Sequence, residues 1–230
     1  MRTHDRRRLW SQFRRKWLAD DGRSYEPPEA GSEVPLRLWV DHPRPTRIVF
    51  FSKDVLLRRW RESGLRLPSS WLVLERIGFP EPAYLKRVAE LYASLRAPIC
   101  FVGDLDPLDL SSYLALRALH QDFATRRPAL PVTWVGLSDP WLEFCRRHLR
   151  PPASLPALDM KPLEQEHWRV LGEVAPDVRD TIGPECAALL DRGKTLDVAG
   201  MSGIASYGAD FPQRLLAYVK NAVRRAGPRR

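Results

Sequence analysis

From residue 47 onward, apolar residues fall into short continuous blocks, separated by longer stretches with helical spacing. The blocks are Arg47-Ile48-Val49-Phe50-Phe51, Ser70-Trp71-Leu72-Val73-Leu74, Pro98–Gly103 and Val132–Leu137. Their length and their β-branched and aromatic content predict strands. Between them, Val55–Gly64, Glu81–Leu95 and Leu110–Phe123 predict helices. The first of these closes on a glycine, and the second repeats apolar residues at Leu85, Val88, Ala89, Leu91 and Tyr92. A strand that is apolar throughout, rather than at alternate residues, is covered on both faces. Alternating such strands with helices predicts an α/β domain, with a Rossmann-like parallel sheet and helices on both faces.

The flanks have a different pattern. In residues 1–23, Leu9, Trp10, Phe13, Trp17 and Leu18 interleave with basic residues at helical spacing, which predicts an amphipathic basic helix. Residues 24–46 are rich in proline and read as a linker, with a short strand at Leu36–Val40. Beyond residue 150 a Pro-rich stretch precedes helices at Leu163–Val174 and Glu185–Asp191. A final helix over Phe211–Arg230 puts Leu215, Leu216, Tyr218, Val219 and Val223 on one face. Lys220, Arg224 and Arg225 enrich its last turn, where cations suit the helix dipole. The expected organisation is an arm and linker over 1–45, a central domain over 46–201 and a basic helical tail over 202–230.

In a parallel α/β sheet, ligands bind beyond the carboxyl ends of the strands. The residues there are Ser52-Lys53-Asp54, Glu75-Arg76, Asp104-Leu105-Asp106 and Ser138-Asp139. The sharpest motif is Phe101–Pro107, FVGDLDP. Alternate residues of a strand point the same way, so Asp104 and Asp106 can face one site. Two carboxylates so close repel, and a hard dication such as Mg²⁺ relieves the repulsion. Glu75, at the end of the second strand, is a candidate third ligand; Asp54 and Asp109 are alternatives. The plainer reading is an Asp-Pro turn in which an aspartate caps the next helix.

The order of these pieces resembles the Toprim domain of the topoisomerase VI A subunit and its meiotic double-strand-break relatives. The stretch IVFFSKDVLLRRW (48–60) matches the family's first strand, signature and helix. GFPEPAYLKRVAEL (78–91) matches its Gly-x-Pro-acid turn, and GDLDPLDLSSYLALR (103–117) its Asp-x-Asp-Pro segment. LLDRGKTLDVAGM (189–201) is similar to a later Gly-Lys-containing helix end. Toprim nuclease subunits of bacterial plasmid-defence systems are similar at the Gly-Asp-x-Asp segment. The resemblance implies a Toprim fold, Mg²⁺ held by the acidic residues, and DNA cleavage or processing. Two residues depart from the pattern: Ser52 stands where the family has a glutamate, and Asp109 where it has a glycine. The family's catalytic tyrosine lies in a separate upstream domain. Only about 45 residues precede the first strand here, and Tyr25 reads as a loop residue.

Charge sharpens the choice of partner. Lys and Arg number 37 against 28 Asp and Glu, a formal net charge of +9. That balance favours a polyanion, and DNA first. Arg6, Arg7, Arg8, Arg14, Arg15 and Lys16 are the candidate phosphate contacts, with the interleaved Trp residues available for stacking. The three cysteines have neither zinc-ligand spacing nor a disulfide framework, which suits a reducing cytoplasm. No apolar run is long enough to cross a membrane. The histidines lack ligand spacing, and Asp191–Thr195 lacks the upstream glycine of a P-loop.

Three function classes follow. One is a Mg²⁺-dependent DNA-cleaving Toprim subunit. Another is a degenerate, non-catalytic Toprim-like module that binds DNA within a larger assembly or homo-oligomer. The third is an unrelated Rossmann-like enzyme or protein-interaction subunit whose Asp-x-Asp loop is coincidental.

Overall fold

A computed structural model of the chain describes residues 36–40, 45–76, 97–123, 131–148, 156–198, 200 and 210–226. The basic arm, with Arg6, Arg7, Arg8, Arg14, Arg15 and Lys16, and the helix expected at Glu81–Leu95 lie outside these residues.

The apolar blocks are strands. They are β2 (Arg47–Phe51), β3 (Trp71–Arg76), β4 (Ile99–Val102) and β5 (Val132–Trp134), joined by β1 (Leu36–Val40) in a sheet of order β1-β3-β2-β4-β5. β2 pairs in parallel with β3 and with β4, and β4 in parallel with β5. β1, from the stretch read as linker, adds an antiparallel edge along β3. The fold is therefore α/β with a mostly parallel sheet.

Side-chain alternation sorts the two faces. Phe50 and Phe101 are paired across β2 and β4 and face helix α2 (Pro107–Phe123). There Tyr113 meets Phe101 edge-on, and Trp134 stacks on Phe101 with ring centroids 5.5 Å apart. On the other face, Phe51 packs against Trp60 of α1 (Val55–Glu62). Beside it lies α7 (Phe211–Arg225), whose Val223 carbonyl approaches the Cys100 thiol. Helix α3 (Asp139–His148) packs its Trp141 and Phe144 against Tyr218 of α7. Helices thus cover both faces, which is why β2 and β4 are apolar at successive positions and buried at nearly all of them.

Residues 156–198 form α4 (Pro162–Val174), α5 (Asp177–Ile182) and α6 (Pro184–Asp191), with a small antiparallel sheet of β6 (Ala157–Asp159) and β7 (Lys194–Leu196). The stretch read as a Gly-Lys helix end is thus the turn into β7. It follows Gly193, whose φ of 68° suits a residue without Cβ. β7 docks on the acidic loop through reciprocal bonds between the Leu105 and Leu196 backbones, of 3.0 and 3.2 Å. No helix among the described residues is long and apolar enough to cross a membrane.

Candidate functional site

The sheet order places one location above the others. From β2 the chain crosses to β3 on one side, then to β4 on the other. The connections diverge between β2 and β4, the topological switch point where such sheets bind ligands. Ser52-Lys53 leaves the end of β2 there, and Gly103-Asp104 the end of β4. The Ser52 N–H bonds the Val102 carbonyl at 2.9 Å, extending the pairing to the loop. Ser52 and Asp104 line one small void of about 10 Å³ with Phe51, Lys53, Gly103 and Val198.

The acidic loop is organised by its own hydrogen bonds. Asp106 Oδ1 accepts the Asp109 N–H at 2.8 Å. That is an N-cap bond, with Pro107 at the first helical position, where its missing N–H costs nothing. Asp109 Oδ2 reaches back to accept the Asp104 N–H at 2.7 Å. Asp104 Oδ1 accepts the Val198 N–H at 2.8 Å, and its Oδ2 forms an ion pair with Lys53 Nζ. Lys53 Nζ also meets Asp197 Oδ2 at 3.2 Å. One ammonium thus ties together the loops after β2, β4 and β7.

Oxygens of Asp104, Asp106 and Asp109 all lie within 4.8 Å of one another. Asp104 and Asp109 are buried and Asp106 is half-buried. Glu75 is not one of this group. It sits within β3, on the far side of β2, buried and accepting a 2.6 Å bond from Trp39 Nε1. Asp54 is engaged with Arg58 one turn along α1, and Asp139 caps α6 by accepting the Glu185 and Cys186 N–H groups at 3.0 and 2.8 Å. The third carboxylate beside the Asp pair is therefore Asp109, the residue that departs from the family pattern.

The electrostatics follow from this crowding. Burial, then the neighbouring carboxylate of Asp109, pushes the Asp106 carboxyl up to about 8. Burial and Asp109 likewise raise Asp104, against the pull of Lys53. Lys53 is raised as well, because Asp104 and Asp197 outweigh its partial burial. A carboxyl raised on folding favours the folded state below its unfolded pKa, and that contribution is lost as pH climbs through the folded value. Between about pH 4 and pH 8 the loop should therefore lose stability as pH rises. The Asp106→Asn variant keeps a carbonyl oxygen for the Asp109 N–H. At pH 8 it should be more stable than the unaltered chain by at least about 1.4 kcal/mol, the worth of one pKa unit. Urea unfolding of both chains at pH 5 and pH 8 checks this. An equal pH slope in the two would remove Asp106 as the cause.

The fit to Mg²⁺ is partial. A set of carboxylate oxygens is the right donor chemistry for a hard dication. Here, however, each oxygen of Asp104 already meets a donor, and the nearest cation is an ammonium of the chain itself. Ser52 stands where the resemblance implies an acidic residue, beside a void of about 10 Å³, room for one water. Of the participants, Lys53 was legible as a strand-end residue. Asp197 comes from a distant loop, and no local pattern points to it. No protein-family model matches the chain, and no curated protein matches it.

Proposed function

We propose that the chain is a DNA-associated, Toprim-like module of a larger assembly, whose acidic loop is structural rather than catalytic. The observation that carries this reading is the Lys53–Asp104 ion pair, made with Ser52 in the glutamate position. A Toprim-type site uses adjacent carboxylates to hold metal against phosphodiester oxygens. In this chain the ammonium compensates Asp104, and the Asp106 and Asp109 carboxylates accept backbone N–H groups of the loop itself. DNA association rests on the +9 charge. The void at the switch point, about 10 Å³, is smaller than the few hundred Å³ typical of a small-molecule site; a cleft of about 400 Å³ lies away from it, between α4, α5 and α6.

Fluorescence anisotropy with a labelled duplex and nicking of supercoiled plasmid together test the reading. Duplex binding should be independent of sequence. With about 6 phosphate contacts it should weaken on the order of a thousandfold between 50 and 200 mM salt. Plasmid should remain supercoiled with Mg²⁺ or Mn²⁺. Metal-dependent nicking by the unaltered chain, lost in Asp104→Asn, would make it a nuclease. Absence of duplex binding at low salt would remove DNA as the partner.

A further inference from the structure

The cations of the described surface divide into two kinds. Arg117, Arg146, Arg147, Arg169 and Arg179 each meet an acidic side chain of the chain itself. Arg47, Arg61, Arg66, Lys161, Arg192, Lys220, Arg224 and Arg225 meet no carboxylate among the described residues. Lys161 and Arg192 stand apart, beside the start of α4 and the end of α6; the other six belong to β2, α1, α7 and the turn after α1. α1 starts at the carboxyl end of β2 and returns toward the start of β3, so Arg61 in its last turn and Arg66 beyond it approach the amino end of the sheet. α7 packs beside α1 and ends at the same place. Arg47, the first residue of β2, donates to the Val223 and Arg224 carbonyls at 3.3 and 3.4 Å. Thr133 of β5 donates to the Ala226 carbonyl at 3.3 Å. The α7 sequence contains no Asp or Glu.

Helix-terminus electrostatics account for part of this pattern, since cations favour the last turns of α1 and α7. They do not account for Arg66, which is outside a helix, or for the lack of intervening acid along α7. Among the described residues, the Asp104–Asp106–Asp109 group lies at the carboxyl end of the sheet and most of the cations without a carboxylate partner lie toward the amino end, where Glu62 closes α1.

We propose that the amino end of the sheet, where α1 and α7 converge, is the surface that grips the phosphate backbone of duplex DNA, through Arg61, Arg66, Lys220, Arg224 and Arg225. This deepens the DNA-associated reading above and rests on it. It also holds DNA away from the acidic loop, consistent with an acidic loop that performs no chemistry. An anionic membrane fits the patch less well, because an interfacial helix presents an apolar face to lipid. The apolar residues of α7, from Phe211 to Val223, are buried in the core. A single strand fits less well too, because it needs exposed aromatic platforms. Among the described residues, Trp39 is the ring under these cations, half-buried beneath the Arg61 guanidinium, 4.6 Å from its centroid.

The experiment is anisotropy of the full chain with a labelled 20-base-pair duplex, taking about 20 pairs as room for the several phosphate contacts expected. The variant is Lys220→Glu/Arg224→Glu/Arg225→Glu. Its charge-matched control, Arg147→Glu/Lys161→Glu/Arg169→Glu, lies on α3 and α4. The α7 variant should lose at least about tenfold in affinity, and its slope of log K against log salt should fall by about one for each contact removed. The control should keep the slope. If circular dichroism shows that charge reversal impairs folding, the corresponding triple glutamine variant is read instead. Equal loss in variant and control would overturn the proposal in favour of net charge alone. An unchanged slope in the α7 variant, or tighter binding to anionic vesicles or to single strands than to duplex, would also overturn it. Failure of the unaltered chain to bind duplex would instead overturn the DNA reading on which the surface depends.

Discussion

Replacing Lys53 with methionine should raise the affinity of the acidic loop for divalent cations. In the native loop the ammonium lies against Asp104 and, at 3.2 Å, against Asp197. A cation entering the Asp104–Asp106–Asp109 group meets that positive charge. At 4 Å, two unit charges interact by about 4 kcal/mol in a surface-like dielectric. The Lys53 side chain is 43% exposed, so solvent screens much of this. A residual of about 1.4 kcal/mol still means a tenfold gain in affinity for Mn²⁺ or Mg²⁺. Without metal, Lys53→Met should melt below the unaltered chain, because the three loops lose their common cation. With Mn²⁺ at about a hundred times its Kd, it should recover about 2.7 kcal/mol. Mn²⁺ titration followed by electron paramagnetic resonance reads the affinity, and calorimetric melting the stability. Equal Mn²⁺ affinity in the two chains would show that Lys53 does not govern the charge of the loop. The same geometry argues against restoring the family's acid by Ser52→Glu alone: Ser52 is buried beside a void of about 10 Å³.

The second large effect concerns the framework under the site. Gly136 follows β5, and a Cβ there would fall 2.5 Å from the Gly103 carbonyl oxygen and 2.6 Å from its nitrogen. Both are backbone atoms of the segment that presents Asp104, and the Leu137 N–H bonds that same carbonyl at 3.0 Å. Neither can move without opening the end of the β4–β5 pairing. Gly136→Ala should therefore destabilise by about 3 kcal/mol or more, at the upper end of overpacking effects. For a chain of this size that is a fall of roughly 6–12 °C in melting temperature. Gly64→Ala is the comparison, since nothing lies within 4 Å of a Cβ there and only its φ of 69° opposes the change. A Gly136→Ala chain that melts with the unaltered protein would mean that the two loops separate easily.

The proposed DNA surface and the acidic loop can be tested separately on the same molecule. Charge reversal on α7 leaves the Lys53–Asp104 pair in place, and Lys53→Met leaves the cations of α1 and α7. A protein in which both variants lose DNA binding would need one surface running from the acidic end of the sheet to the basic end.

The strands and most of the helices were legible in the sequence because their signals are local. Ile48–Phe51 and Ile99–Val102 are continuous apolar runs, and a chain segment buried on both sides must be apolar at every position whatever its partners. The strand-end positions of Ser52 and Asp104 were legible in the same way, while their adjacency depends on β2 and β4 pairing side by side. The role of the Asp pair was not legible. Its spacing suits a metal site and a helix cap equally, and the choice depends on what else arrives at the strand end. Asp109 turns back onto the Asp104 amide, and Lys53 crosses from the neighbouring loop. The Asp197–Val198 segment is delivered by β7, more than ninety residues along the chain. Glu75 illustrates the same limit. Its position along β3 and the short strand at Leu36–Val40 were readable, but not that Trp39 of that strand takes its carboxylate. Likewise the basic residues of α7 were visible as a helical face, while their meeting with Arg61 and Arg66 required the two helices to be packed on one side of the sheet. Periodicity records how each segment is buried; tertiary structure alone decides which distant charges share a dielectric environment and neutralise one another.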